Sequence, residues 1–169
     1  LCNGFGFEHD ASIGEQDLAM NLPPEPDDPD LLAAMRDGLV TVAANLVPLL
    51  RYQSPTGAEQ DRAAALGWFA RRGLVPSLDR VAITPGAQVA MTAILSTLAA
   101  PGDAVLCEAV TYPGLRSIAA RLRLDLVGLP EDEGGILPDA LEATIRARRP
   151  KALFLNPTLR NPTTPTIPA

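Results

Sequence analysis

The chain has 169 residues, of which 47% are hydrophobic, 20% are charged and 4% are aromatic, and its net charge at pH 7 is −6. This length is enough for one domain with a real core, and the composition is ordinary for an α/β domain rich in alanine and leucine. The acidic balance argues against a segment that binds nucleic acid by itself, and the short, interrupted apolar runs exclude a helical membrane span.

The first part of the chain is predicted to be an extended arm followed by helices. Residues 1–30 are interpreted as an arm or linker, because the prolines of LPPEPDDPD oppose regular helix. Residues 31–79 are interpreted as a helical segment, in which Thr56 and Glu59 predict a capping box for the second helix and Gly73 predicts its end. The first helix of that segment carries an apolar stripe at helical spacing: Leu31, Met35, Leu39, Val42, Leu46 and Leu49.

From residue 80 to residue 169, short apolar strands alternate with helical patterns. The predicted strands are RVAIT (80–84), DAVLCE (103–108), RLDLVGL (123–129) and KALFL (151–155). The predicted helices are GAQVAMTAILSTLA (86–99), YPGLRSIAARL (112–122) and PDALEATIRARR (138–149). This alternation is typical of an α/β fold, here a three-layer α/β/α arrangement with a largely parallel sheet.

Three groups of residues that suit a ligand follow predicted strands, at the sheet edge where open α/β folds bind ligands. Gly86 begins a helix whose first-turn N–H groups, on Ala87 and Gln88, favour an anion. Tyr112 could stack its ring on a flat heterocycle, and Asn161 could donate to a phenolate oxygen. Taken singly, the three groups also have plainer explanations, namely a turn glycine, a half-buried tyrosine and a proline-rich exit loop.

The order of these groups and the sequence around them resemble fold type I pyridoxal-phosphate enzymes. The resemblance is closest to the aminotransferase-like domain of MocR-type regulators of the GntR family, and it covers nearly all of residues 17–169. Five segments carry it: DLAMNLPPEPDDPDLLAAM, LLRYQSPTGAEQDRAAALGWFARRGL, ITPGAQVAM, PGDAVLCEAVTYPGL and ALFLNPTLRNPTTPTIP. Their motifs are specific in combination and not singly.

The resemblance implies a role for each of these groups. The segment 86–88 would form a phosphate cup for pyridoxal 5′-phosphate, Tyr112 would stack on its pyridine ring, and Asn161 would bond the ring's O3′. Tyr52 would reach the phosphate of the partner subunit's cofactor in a homodimer. The first Asn-Pro-Thr copy, residues 156–158, is interpreted as the turn that ends the last strand.

The chain also departs from the family pattern. Thr164 follows the second Asn-Pro-Thr, where many aminotransferases have glycine. The lysine that holds the cofactor covalently, the aspartate at the pyridine nitrogen and the arginine for the substrate carboxylate come later than this segment in the family. The only lysine here, Lys151, opens a strand at the opposite edge. We therefore expect the N-terminal part of a large cofactor domain, inactive alone and with weak or absent cofactor binding.

Three functions remain open from the sequence. The first is a sensing domain of a transcription regulator that binds pyridoxal phosphate and a small amino compound. The second is part of a class I/II aminotransferase, which moves an amino group between an amino acid and a 2-oxo acid. The third is an assembly module without a ligand. Cytoplasmic location is expected, Cys107 is interpreted as an inert core thiol, His9 as an exposed linker residue, and PEDEGG (130–135) as a solvated turn.

Overall fold

The computed structural model describes residues 26–167, and the chain divides into two compact units between Tyr52 and Gln53. Most of the predicted arm, including Cys2 and His9, lies outside the described residues. Among residues 26–167, none of the helices is long and apolar enough to cross a membrane.

Within residues 26–52, the described part of the N-terminal unit, there are two helices, α1 (Pro29–Ala44) and α2 (Leu46–Leu49). Asp28 caps α1, because its carboxylate accepts the N–H of Asp30 at 2.9 Å. The helix therefore begins at Pro29, two residues before the predicted start, since proline is tolerated in the first turn. The prediction of one continuous helix through residue 49 is wrong. Pro48 has no N–H to donate to the carbonyl four residues earlier, and the helix is interrupted at Asn45.

The second unit begins with α3 (Glu59–Ala70) and a 3-10 helix (Leu78–Arg80). The predicted capping box is wrong, because the residue before α3 is Ala58 and the Thr56 hydroxyl instead lies 3.1 Å from the Ser54 hydroxyl. The predicted end is confirmed. Gly73 has φ +73°, its N–H donates to Ala70, and the next N–H donates to Phe69 at 3.0 Å, which is the Schellman pattern.

The segment RVAIT was predicted to be a strand, and this prediction is wrong. After the 3-10 helix the chain is irregular through residue 84. Val81 is buried, whereas Ala82 and Ile83 are exposed, so only the first apolar residue of the run reflects burial. The N–H of Ile83 donates at 2.9 Å to the carbonyl of Thr56, which lies in a loop. An apolar run alone does not establish a strand, because a strand also needs a neighbouring strand with which to form a ladder.

The rest of the unit has an α/β fold with a small parallel sheet, as predicted. Its strands are β1 (Ala104–Glu108), β2 (Asp125–Leu129) and β5 (Ala152–Leu153), in the order β2-β1-β5 with parallel pairing on both sides of β1. Strands β3 (Glu131–Asp132) and β4 (Gly135–Ile136) form an antiparallel hairpin. The helices are α4 (Ala87–Leu98), α5 (Pro113–Leu122) and α6 (Pro138–Arg148).

The core lies around β1, where all five residues are buried. Val105 and Cys107 point to one face of the strand and pack with Leu95 of α4 and with Leu115 and Ile118 of α5. Burial raises the pKa of the Cys107 thiol to about 11, and the nearby carboxylates add to this effect. The thiol therefore stays neutral near pH 7, as expected for a core cysteine.

Candidate functional site

The candidate site lies at the carboxyl edge of the sheet, where β1 and β5 end next to each other. Because these strands are parallel neighbours, the loop after β1 and the loop after β5 begin at the same edge. The first loop leads to Tyr112, and the second leads to Asn161. Lys151 lies at the other edge, where its N–H donates to Ala104 at 2.9 Å and its side chain is exposed.

Gly86 allows the chain to enter α4 in a conformation that other residues rarely adopt. Its φ of 98° and ψ of 160° lie in a region used almost only by glycine. A methyl group there would meet no heavy atom of the described residues within 4 Å, so the backbone angles and not crowding require the glycine. The first turn of α4 carries no acidic residue, and residues 86–88 are exposed. This helix start is therefore open to an anion.

Tyr112 is linked directly to that helix start. The Nε2 atom of Gln88 donates to the Tyr112 hydroxyl at 2.7 Å. Tyr112 is also the residue before α5, and its ring folds back over the first turn of that helix. A Cβ atom at Gly114 would lie 2.6 Å from Cζ and 2.8 Å from the hydroxyl oxygen of Tyr112. Gln88 and Gly114 thus determine together where the aromatic ring lies.

The two Asn-Pro-Thr copies contact each other. With its side-chain amide oriented to satisfy both neighbours, Asn156 donates to the carbonyl of Thr158 at 3.1 Å and accepts the N–H of Asn161 at 3.0 Å. The backbone N–H of Asn156 itself donates at 2.8 Å to Glu108, the last residue of β1. The first copy lies in the loop after β5 and supports the second copy, but the turn falls at residues 161–163, so the prediction that the first copy is the turn is wrong.

A buried charged cluster at this edge was missed by the sequence analysis. Glu108 is fully buried and Arg160 is 5% exposed, and the Glu131 side chain is 12% exposed. The Nη1 atom of Arg160 lies 2.5 Å from a carboxylate oxygen of Glu131, and its Nε lies 3.9 Å from Glu108. The interpretation of residues 130–135 as a fully solvated turn is wrong for Glu131, because its carboxylate pairs with a buried guanidinium.

One sequence signal could have pointed to this cluster. Glu108 directly follows the apolar run AVLC. A carboxylate at the end of a buried central strand needs a hydrogen-bonding or charged partner, because burying an unpaired charge is costly. The partner is distant along the chain, so the sequence alone could not identify it.

Tyr52 is the last residue of the N-terminal unit, and its side chain is fully exposed there. Its predicted contact is with the cofactor of a partner subunit and stays a prediction. Among residues 26–167, no cluster of His, Cys, Asp or Glu side chains could hold a metal ion.

Comparison with solved structures shows that the fold is that of the α/β domains of pyridoxal-phosphate-dependent aminotransferases. The solved structure of the α-aminoadipate aminotransferase LysN from Thermus thermophilus, complexed with N-(5′-phosphopyridoxyl)-L-leucine, superposes with a TM-score of 0.63. It is 29% identical in sequence, and the match covers 70% of this chain and 29% of that one. The chain belongs to the class I and II aminotransferase family, whose profile matches residues 15–168.

Relatives of two kinds share this domain. The HTH-type transcriptional regulator YdeF of Bacillus subtilis is 34% identical over 101 residues, which are 60% of this chain and 22% of the regulator. The aminotransferase swnA of Metarhizium robertsii is 31% identical over 143 residues, which are 80% of this chain and 29% of the enzyme. The chain thus spans between a fifth and a third of the length of these relatives.

Proposed function

We propose that this chain is the cofactor-proximal part of a pyridoxal-phosphate-binding domain in a transcription regulator. In this proposal residues 86–88 hold the phosphate, Tyr112 lies against the pyridine ring and Asn161 donates to O3′. The cofactor, when bound, supplies an electron sink for chemistry at an amino carbon. A small amino compound would be the effector that the complete regulator senses.

The observation that carries the proposal is the hydrogen bond from Gln88 to Tyr112. This 2.7 Å bond places the aromatic ring beside the anion-favouring helix start, and a ligand with a phosphate attached to a flat ring could use both. The absence of acidic residues from the first turn of α4 also fits a phosphate dianion. The loop that carries Asn161 begins at the same sheet edge, which supports the proposed contact of Asn161 with O3′ of the pyridine ring.

The regulator is preferred to the enzyme as the parent of this domain because a regulator is among the relatives at 34% identity and Thr164 replaces the usual glycine. The enzyme remains the second candidate, since an aminotransferase matches over more of the chain. The coding sequence upstream distinguishes the two, because a basic winged helix-turn-helix there would indicate a regulator. Transamination of amino acids by the complete protein would instead indicate the enzyme.

The proposed site is tested by titrating this chain with pyridoxal phosphate. We expect a dissociation constant on the order of 1 mM or weaker, because only a phosphate contact and ring stacking are available. Tyr112→Leu and Gln88→Leu should each weaken binding by roughly fivefold, the effect of about 1 kcal/mol. Thr97→Ala, at the far end of α4, is the matched control and should leave binding unchanged.

Two results would contradict this proposal. Tight stoichiometric binding would contradict the expected weakness, and equal effects of the Tyr112 and Thr97 variants would contradict the location. Borohydride treatment adds a second readout, since Lys151 carries the only lysine amine. We expect no site-specific labelling of Lys151, because it lies at the opposite edge of the sheet from Tyr112.

The same proposal includes a homodimer and a cytoplasmic protein. In the dimer, Tyr52 of one subunit would approach the phosphate of the other. The division into an arm (1–30), a helical segment (31–79) and the first part of the cofactor domain (80–169) also stays part of this proposal.

A further inference from the structure

The buried cluster of Glu108, Arg160 and Glu131 connects the two loops of the candidate site. Glu108 accepts the N–H of Asn156 at 2.8 Å and thereby holds the loop after β5. Its other carboxylate oxygen accepts the Thr111 hydroxyl at 3.4 Å, in the loop after β1. Each loop is therefore held by the residue that ends the central strand.

Glu131 makes the same kind of connection from the β3–β4 hairpin. One of its oxygens accepts the N–H of Val110, in the loop after β1, at 3.4 Å. Its other oxygen binds Arg160, in the loop after β5, at 2.5 Å. The Arg160 backbone in turn accepts the N–H of Thr164 and donates to Pro165, which closes the loop around Asn161.

A cluster of this kind is an inefficient way to stabilise a fold. Removing charges from water costs several kcal/mol per ion, and a well-packed apolar core often serves stability equally well. Two carboxylates share one guanidinium here, and the buried Arg160 Nε atom has no hydrogen-bond partner among residues 26–167. The cluster does provide directional hydrogen bonds. Its carboxylates accept from backbone N–H groups and from one hydroxyl in the two loops, and this fixes the positions of those groups.

We propose that Glu108, Arg160 and Glu131 are positioning residues that hold the Tyr112 loop and the Asn161 loop in register for one shared ligand. They act through the backbone of residues 109–112 and 156–165 and do not touch the ligand themselves. The relevance to a ligand rests on the proposed function, whereas the coupling of the two loops can be tested without any ligand.

The test is amide hydrogen exchange of the whole chain with single substitutions. Glu131→Gln removes one charge with little change in shape, and its matched control is Asp125→Asn. Asp125 pairs with Arg148 in a half-exposed ion pair at the amino end of β2. We expect Glu131→Gln to accelerate exchange in both loops by roughly tenfold, at Val110 as well as at Asn156, with core amides unchanged. The control should alter neither loop.

Arg160→Lys provides a second variant that keeps the buried charge. A lysine still neutralises Glu131 but cannot reproduce the planar fork, so exchange should accelerate in both loops, by less than in Glu131→Gln. The Tyr112 signal in chain labelled with 3-fluorotyrosine supplies a spectroscopic readout, because its 19F resonance should shift in Glu131→Gln and be restored toward wild type in Glu131→Asp.

Acceleration confined to one loop, or spread evenly over the core, would overturn the proposal, and so would no change in either loop. A pyridoxal-phosphate titration of the same variants separates the two proposals. If wild type shows no binding that depends on Tyr112, the proposed function fails, while the exchange data still decide whether the cluster couples the loops.

Discussion

Replacing Gly114 by alanine should move the Tyr112 ring and leave the fold intact. The new methyl carbon would clash most closely with Cε1 of the ring, and it would lie 2.6 Å from Cζ and 2.8 Å from the hydroxyl oxygen. Ordinary carbon contacts lie near ~3.5–4.0 Å and Cε1 is nearer than Cζ, so the ring has to shift by more than ~1 Å. A shift of that size would stretch or break the 2.7 Å bond from Gln88.

The effect on stability should be small because two contributions oppose each other. Loss of one exposed hydrogen bond costs about 0.5–1.5 kcal/mol, and alanine in place of glycine in a helix gains up to ~1 kcal/mol. The ring is also the free end of a side chain and can move without disturbing the backbone. The substitution therefore separates the position of the aromatic ring from the stability of the domain.

Fluorine NMR measures this position directly. The chain has two tyrosines, and Tyr52 is fully exposed, so its 19F signal serves as an internal reference. In Gly114→Ala the Tyr112 signal should move toward the Tyr52 signal, and Gln88→Ala should move it in the same direction. Gly67→Ala in α3 is the control, because nothing lies within 4 Å of the added methyl group. An unchanged Tyr112 signal in Gly114→Ala would refute this account of the ring.

Three further predictions concern the core, the entry to α4 and the exposed face of α1. In a Cys2→Ser background, Cys107 has about 100-fold less thiolate at pH 8 than an ordinary thiol, because its pKa is about 11 and not 9.0, so Ellman's reagent should react slowly. Because the folded state holds the thiol in its neutral form, the free energy of unfolding should fall as pH rises from about 9 toward 11, and this fall should be absent in Cys107→Ala. Fast labelling of native Cys107 would contradict both the slow reaction and this pH dependence. Gly86→Ala should destabilise the domain by ~1–3 kcal/mol in urea unfolding because of its backbone angles, whereas Gly67→Ala should not. Leu39 lies on the apolar stripe of α1 and is 69% exposed, so it should promote self-association of the chain. Sedimentation should show less self-association in Leu39→Lys than in wild type, and a monomeric wild type would count against this prediction.

Local periodicity was sufficient to predict most of the sheet and its helices. AVLCE is typical of a buried strand because every residue but the last is apolar, and all of β1 is indeed buried. The helix ends were less predictable. Thr56 and Glu59 have the spacing of a capping box, but Thr56 interacts with Ser54 instead, and only the three-dimensional course of the turn decides between these partners.

The candidate site was predictable in part for a related reason. The loops that carry Tyr112 and Asn161 could be assigned to one edge because each follows a strand, and parallel strands bring their carboxyl ends to one edge. Glu131 was misjudged because its neighbours Asp132 and Glu133 are exposed, and no local pattern distinguishes the one acid that turns inward. Its partner Arg160 is far along the chain, so the pairing depends on the tertiary fold.

The contacts at the sheet edge also bear on how weak cofactor binding by this chain should be interpreted. Asn156 accepts the backbone N–H of Asn161, and Gln88 donates to the Tyr112 hydroxyl, so the Asn161 backbone and the Tyr112 ring are held by protein contacts. A preorganised site loses little conformational entropy when a ligand enters. Weak binding would then reflect too few attractive contacts, and adding contacts should raise affinity without a large ordering cost. A loose site would behave differently, because each added contact would first have to offset the entropy of fixing the loops.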